Sequence, residues 1–250
     1  MKKILLISGH GDGDSGAVAT INKKVRKEAT ETITMVKKIK SALDKYNVDV
    51  DVYDTTKDAY KVLCQGGHIA FDKYDFVLEI HFNACVRDLK GDGKTTGTEM
   101  LLPSRNTPTD LRVEKEILKR VSTLGFKNRG CKTQSLLVIN KAQSAGTHAC
   151  LFEICFIDDV DDMAIYTASK AKIAKKIAKA FAACWDLKET VTTTEKAAFR
   201  SKMEVTADNR ICWIPKGTKV VLLKEVDNKW LKVQYNNKTG YVVRSKTSLN

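Results

Sequence analysis

The stretch Ile4-Leu5-Leu6-Ile7-Ser8-Gly9-His10-Gly11-Asp12-Gly13-Asp14-Ser15-Gly16 decides how the chain is read. Four consecutive large apolar residues make a short buried strand. The glycines that follow force the backbone to turn, so His10 stands at the carboxyl end of that strand. In open α/β sheets the crevice beyond the carboxyl ends of the strands is where ligands bind.

Working outward, Val48–Tyr53, Phe76–Phe82, Met100–Pro103, Leu136–Ile139 and Cys150–Cys155 are the further strand candidates. Glu28–Leu43, Leu111–Thr123 and Ser169–Trp185 carry apolar residues at helical spacing, Ile33, Val36, Ile39 and Leu43 being the first such set. The alternation predicts an α/β fold, a mixed central sheet flanked by helices on both faces, ending near residue 187. Residues 188–195 have no apolar periodicity and read as a linker. Residues 196–250 hold short β segments broken by Lys216-Gly217, Asp227-Asn228 and Asn236-Asn237, which predicts a small all-β barrel.

With 250 residues, 43% of them hydrophobic, the chain has material for a proper core. No stretch approaches the roughly 20 apolar residues of a membrane span. The opening Met1-Lys2-Lys3 and its apolar run imitate a secretory leader but break at Ser8-Gly9-His10, so a cytoplasmic location is expected. Cysteines 64, 85, 131, 150, 155, 184 and 212 are odd in number and form no CxxC pair, which predicts reduced thiols and excludes a disulfide framework. The net charge is +13, and residues 196–250 contribute +8 of it through twelve Lys/Arg against four acids. Such a module suits a polyanionic partner: nucleic acid, a membrane surface or an anionic wall polymer.

Of the four histidines, His10 and His81 both end strand-like segments and would emerge on one rim, whereas His68 and His148 read as structural or surface residues. Glu28 opens the first long helix, which packs beside the first strand. Glu153 interrupts the buried-strand pattern Ala149-Cys-Leu-Phe-Glu-Ile-Cys-Phe156, an expensive place for a carboxylate that has no partner or task. Two histidines and a carboxylate can hold zinc with a position left open, while another carboxylate serves as base.

These residues resemble the zinc-dependent N-acetylmuramoyl-L-alanine amidases found in bacterial autolysins and phage endolysins. Gly9-His10-Gly11, Gly16-Ala17 and Glu28 look like the family's opening; Glu79-Ile80-His81-Phe82-Asn83-Ala84 looks like its second histidine motif; Leu151-Phe-Glu153-Ile-Cys-Phe156 looks like its terminal glutamate motif. Counting apolar positions from Glu28 fits the family's helix, and counting from Glu31 does not. The resemblance implies a Zn²⁺ held by His10, Glu28 and His81, with Glu153 as catalytic base and Asn83 as a substrate-binding residue. Glu79 stands where the family commonly has serine. Its place two residues before His81 makes it a candidate to orient that ring, although pairing with a lysine is the favoured expectation. The acids of Asp12-Gly-Asp-Ser-Gly16 read as turn formers.

Residues 196–250 are similar to bacterial SH3-like wall-binding domains through Gly217-Thr218-Lys219-Val220, Trp230-Leu231-Lys232-Val233 and Gly240-Tyr241-Val242, with Trp213, Trp230 and Tyr241 as candidate platform or core aromatics. The resemblance implies a peptidoglycan hydrolase cutting the bond between N-acetylmuramic acid and L-alanine in Gram-positive walls. It would be an endolysin held in the host cytoplasm until the membrane is permeabilised, with a host-encoded lysin as the alternative origin. The alternative activity is that of a zinc peptidase cutting the stem or cross-link peptide. Its partners would be peptidoglycan and associated wall polymers, without nucleic acid and without membrane insertion; no recognisable nucleic-acid motif is present.

Overall fold

A computed structural model describes residues 1–249. The chain forms two compact units, Met1–Asp44 with Val48–Trp185, and Lys45–Asn47 with the chain from Asp186 onward.

The first unit runs β1 (Lys3–Ser8), β2 (Val18–Ile21), β3 (Lys24–Lys27), α1 (Glu28–Leu43), β4 (Asp49–Val52), α2 (Ala59–Cys64), β5 (Phe76–Asn83), β6 (Thr98–Pro103), α3 (Arg112–Ser122), β7 (Asn128–Gln134), α4 (Leu137–Ser144), β8 (His148–Phe156) and α5 (Val160–Trp185). Its six-stranded sheet has the order β4-β1-β5-β8-β6-β7. β4, β1, β5 and β8 are mutually parallel; β6 runs antiparallel to β8, and β7 parallel to β6. The sheet is therefore mixed, as expected.

The strand period of two sorts the apolar residues onto two faces. Leu5, Ile7, Val77, Leu101, Ala149 and Leu151 form one core with Ala59 of α2 and Val138, Ile139 and Ala142 of α4. Helices α1 and α5 pack against strands of the same sheet and against each other, with α3 beside α5, β6 and β7. Phe76 meets Phe181 of α5 edge-to-face, and Phe82 meets Tyr166 likewise.

Several elements depart from expectation. Leu136–Ile139 is not a strand: Leu137–Ser144 is helical, because Val138, Ile139 and Ala142 share one buried helical face. A four-residue apolar run fits either period, and the helical continuation decides. Strand β7, Asn-Arg-Gly-Cys-Lys-Thr-Gln, lies at the sheet edge and lacks the apolar pattern that marks a buried strand. Helix α5 starts at Val160 rather than Ser169, capped by Asp159, whose Oδ1 accepts from the N–H groups of Asp161 and Asp162. The β2–β3 hairpin turns at Asn22 and Lys23, both with positive φ.

Glu31, one turn into α1, is buried, and its carboxylate accepts from Arg26, Tyr166 and Lys170. Burial alone would raise this carboxyl, but the bonds from Lys170, Arg26 and Tyr166 outweigh it and hold the group below the usual carboxylate range. Because the folded value is the lower one, this contribution to stability is present above the unfolded pKa of about 4.3 and lost as pH falls through the folded value. Glu31→Gln is expected to lower stability by about 2 kcal/mol in urea unfolding at pH 7. The gap from the parent should close in acid; a gap that persists there would mean that charge is not its source.

The second unit is a six-stranded antiparallel sheet, with β9 (Thr190–Thr192), β10 (Ala197–Arg200), β11 (Arg210–Ile214), β12 (Lys219–Glu225), β13 (Trp230–Tyr235) and β14 (Lys238–Val243) in the order β11-β10-β14-β13-β12-β9. Residues 188–195, expected as linker, contain β9, which pairs with β12 and places Val191 in the core beside Phe199, Ile214, Val220, Leu231, Val233 and Val242. One apolar residue in a run of threonines is too little periodicity to be seen in sequence. Trp230 is buried, whereas Trp213 is 45% exposed.

Candidate active site

The turn after β1 brings His10 to the carboxyl ends of the parallel strands, and β5 delivers His81 to the same end. Between them lies the buried carboxylate of Glu28, the first residue of α1. Glu28 Oε2 is 3.1 Å from His10 Nε2, and Oε1 is 2.9 Å from His81 Nδ1. The backbone fixes the carboxylate from both sides, since Ala17 N–H donates to Oε2 and Phe82 N–H to Oε1, each at 2.9 Å. Two glycines make room. A Cβ on Gly9 would fall 2.3 Å from the His81 ring, and one on Gly16, which has φ +60°, would fall 2.5 Å from His10 and 2.8 Å from Glu28.

The far nitrogens of both rings meet carboxylates. Asp14 Oδ2 lies 2.9 Å from His10 Nδ1, while its Oδ1 accepts from Gly16 N–H, so this acid both forms the turn and orients the ring. Glu79 Oε1 lies 3.4 Å from His81 Nε2, so the expected lysine partner is replaced by the histidine itself. Carboxylates so placed fix the tautomer and raise the basicity of the nitrogen facing the site.

Burial works against a charged His10 or His81, yet Glu28, with Asp14 beside His10 and Glu79 beside His81, lifts both rings above the ordinary histidine value. Burial likewise opposes ionisation of Glu28, and the two rings overcome it and hold that carboxyl well below its usual range. The cluster thus draws positive charge to the space between the rings. Its donor atoms, two imidazole nitrogens and a carboxylate oxygen, lie within 4.8 Å of one another, and this set suits zinc.

Glu153 stands directly across the ladder from His81, and Glu99 of β6 directly across from Glu153. Glu99 is neutralised by Arg129 and Lys132 and accepts from Asn83 Nδ2 at 2.7 Å. Glu153 has no such support: among the described residues its buried Oε2 finds no hydrogen-bond partner. Burial pushes its carboxyl up, His81 pulls it back, and Glu28, Glu99 and Glu79 push it up again, to about 7. A cleft of about 340 Å³, lined by Glu28, His81, Asn83, Glu99, Leu136 and Glu153 among others, opens over the group.

All the residues singled out for chemistry in the sequence thus come together. Asn83 bounds the cleft, with Oδ1 engaged by Ala84 N–H and one Nδ2 hydrogen by Glu99, which leaves its second amide hydrogen for a ligand. His148 lies elsewhere, stacked on Phe76 at the start of β8 and bonded to Glu114, and His68 is exposed. Two participants were missed. Asp14 is more than the turn former its sequence suggests, and Glu99 lies one residue outside the expected strand, although an acid inside Thr98-Glu-Met-Leu-Leu-Pro103 carries the same signal as Glu153.

Residues 4–183 match the N-acetylmuramoyl-L-alanine amidase family. The chain belongs to that family. Residues 205–248 match the bacterial SH3 domain, so this amidase carries such a domain after its catalytic unit. Among solved structures, the amidase unit resembles the catalytic domain of CwlV, an N-acetylmuramoyl-L-alanine amidase from Bacillus (Paenibacillus) polymyxa var. colistinus; identity is 22% and TM-score 0.59, over 75% of this chain and 100% of that one. It resembles the catalytic domain of an endolysin targeting Clostridia difficile, with 25% identity and TM-score 0.53 over 72% and 96% of the chains. A putative amidase from Neisseria meningitidis matches with 25% identity and TM-score 0.55 over 75% and 98%. Among curated proteins, none matches by sequence.

Proposed function

We propose that the amidase is an endolysin-type wall hydrolase, cleaving the amide between the lactyl carboxyl of N-acetylmuramic acid and L-alanine with a Zn²⁺ held by His10, Glu28 and His81. The observation that carries this reading is the unpartnered Oε2 of Glu153, buried beside the histidine pair and poised near neutrality. Zn²⁺ at that cluster would supply Lewis acidity, making a nearby water more acidic and favouring negative charge on the carbonyl oxygen. Glu153 takes a proton from the attacking water as its oxygen bonds to the amide carbon. It then hands that proton to the nitrogen as the C–N bond breaks, leaving a free alanine amino group and a lactyl carboxyl whose remaining proton passes to solvent. A carboxyl poised near 7 suits both transfers. Asp14 and Glu79 hold the two imidazoles in register, and Asn83 offers its free amide hydrogen to a substrate carbonyl.

The SH3 unit would keep the enzyme on the wall. The endolysin reading is supported by the likeness to an endolysin catalytic domain. Mass spectrometry of purified peptidoglycan after digestion tests the bond assignment: free L-alanine amino termini are expected, and new ends within the stem or cross-link peptide would replace the amidase reading with a peptidase one. No helix among the described residues is long and apolar enough to cross a membrane.

A further inference from the structure

In the SH3 unit, β11 is an edge strand whose side chains alternate: Ile214 lies in the core with Cys212 against it, while Ile211 and Trp213 face outward. Opposite Trp213 in the ladder stands Ala198, whose methyl is too short to cover an indole. Two cations lie over the ring instead, Lys196 Nζ at 4.8 Å and Arg210 Cζ at 4.9 Å from its centre. Neither pairs with an acid among the described residues. Arg200, opposite Arg210 in the ladder, is buried and bonded only to the carbonyl of Thr206 and the amide oxygen of Asn209, so its charge too lacks a counter-ion there.

Two flexible cations each resting on one aromatic, with no carboxylate answering them among the described residues, form a preassembled anion receptor. The ring fixes the lysine and arginine heads, reducing the entropy that binding an anion would otherwise cost. The surrounding residues 196–250 carry +8, which one carboxylate cannot match but a chain of regularly spaced anions can. We propose that Lys196, Trp213 and Arg210 bind the phosphodiester groups of an anionic polymer attached to the cell wall, the half-exposed indole and Ile211 packing on its carbon backbone. This rests on the wall-hydrolase reading and names what the SH3 unit grips.

Full-length protein is mixed on ice with purified Gram-positive sacculi, either native or stripped of phosphodiester polymers by hydrofluoric acid, and depletion from the supernatant is measured. Stripping is expected to weaken binding by roughly tenfold or more, the scale of charge-assisted hydrogen bonds. Lys196→Gln with Arg210→Gln should weaken binding to native sacculi to a similar degree, become insensitive to stripping, and still digest stripped sacculi at the parent rate. Trp213→Phe, which keeps a flat ring beneath the cations, should retain more binding than Trp213→Ala. Equal binding of the parent to native and stripped sacculi would overturn the proposal, as would unchanged binding by the double variant. Competition by duplex DNA as effective as that of the released polymer, at equal phosphate, would reassign the receptor to nucleic acid. Loss of digestion by the parent with the binding pattern intact would instead count against the amidase chemistry alone.

Discussion

Glu153→Gln is expected to lower turnover on purified peptidoglycan by about 10²–10⁴-fold while the zinc proposed at His10, Glu28 and His81 stays bound. Glutamine keeps the length of the side chain and fits the same strand position, but its amide cannot accept the proton of the attacking water. His10, Glu28 and His81 are untouched, and their mutual bonds do not pass through residue 153. The native side chain is held in an environment that disfavours its charge, with Oε2 lacking any partner among the described residues. Removing the carboxylate should therefore leave the fold as stable as before or slightly more so, which separates a catalytic role from a structural one. Zinc stoichiometry, thermal unfolding and turnover are measured together. Loss of zinc in this variant would make Glu153 a ligand, and full activity with zinc retained would move the base to Glu79.

His81→Ala and Glu28→Ala should behave in the opposite manner, losing metal and activity together. Activity is expected to fall by roughly 10³-fold or more, the scale of several kcal/mol of Lewis-acid contribution. The two substitutions differ in their structural cost. Without Glu28, the N–H groups of Ala17 and Phe82 lose their acceptor and the two rings lose the charge between them, so a drop in stability should accompany the loss of zinc. His81→Ala leaves Glu28 its backbone donors and His10, so the fold should tolerate it better. Metal content near the parent value in either variant would remove that residue from the ligand set.

The chemistry was easier to read from sequence than the architecture around it. His81 and Glu153 stand out because each breaks a strongly apolar strand, and breaking a buried pattern is costly without a purpose; His10 stands out because it follows the carboxyl end of one at a glycine turn. Glu28 needed the phase of the helix behind it: three residues later, Glu31 is also buried but answers Arg26, Tyr166 and Lys170. Asp14 stayed hidden because an aspartate among glycines has a sufficient local explanation, and its second oxygen shows its role only in three dimensions. β7 and β9 were illegible for another reason. Their pairing comes from backbone hydrogen bonds at sheet edges, and edge position leaves side chains free to be polar. Leu136–Ile139 failed through ambiguity, since apolar content reports burial and only length reports period.

The hairpin between His10 and Glu28 has a bearing on how such enzymes diverge. Its own ladder holds β2 to β3, Ala19 and Ile21 are buried, and Asn22 and Lys23 stand in solvent at the tip. Residues added or removed at that tip would lengthen or shorten the spacing of the two proposed ligands in sequence without moving either in space. Ligand spacing is thus free to drift among descendants of this fold, and a search pattern that fixes it will pass over them. The same tip offers an attachment point for a reporter dye, close in sequence to the reacting groups yet mechanically insulated from them.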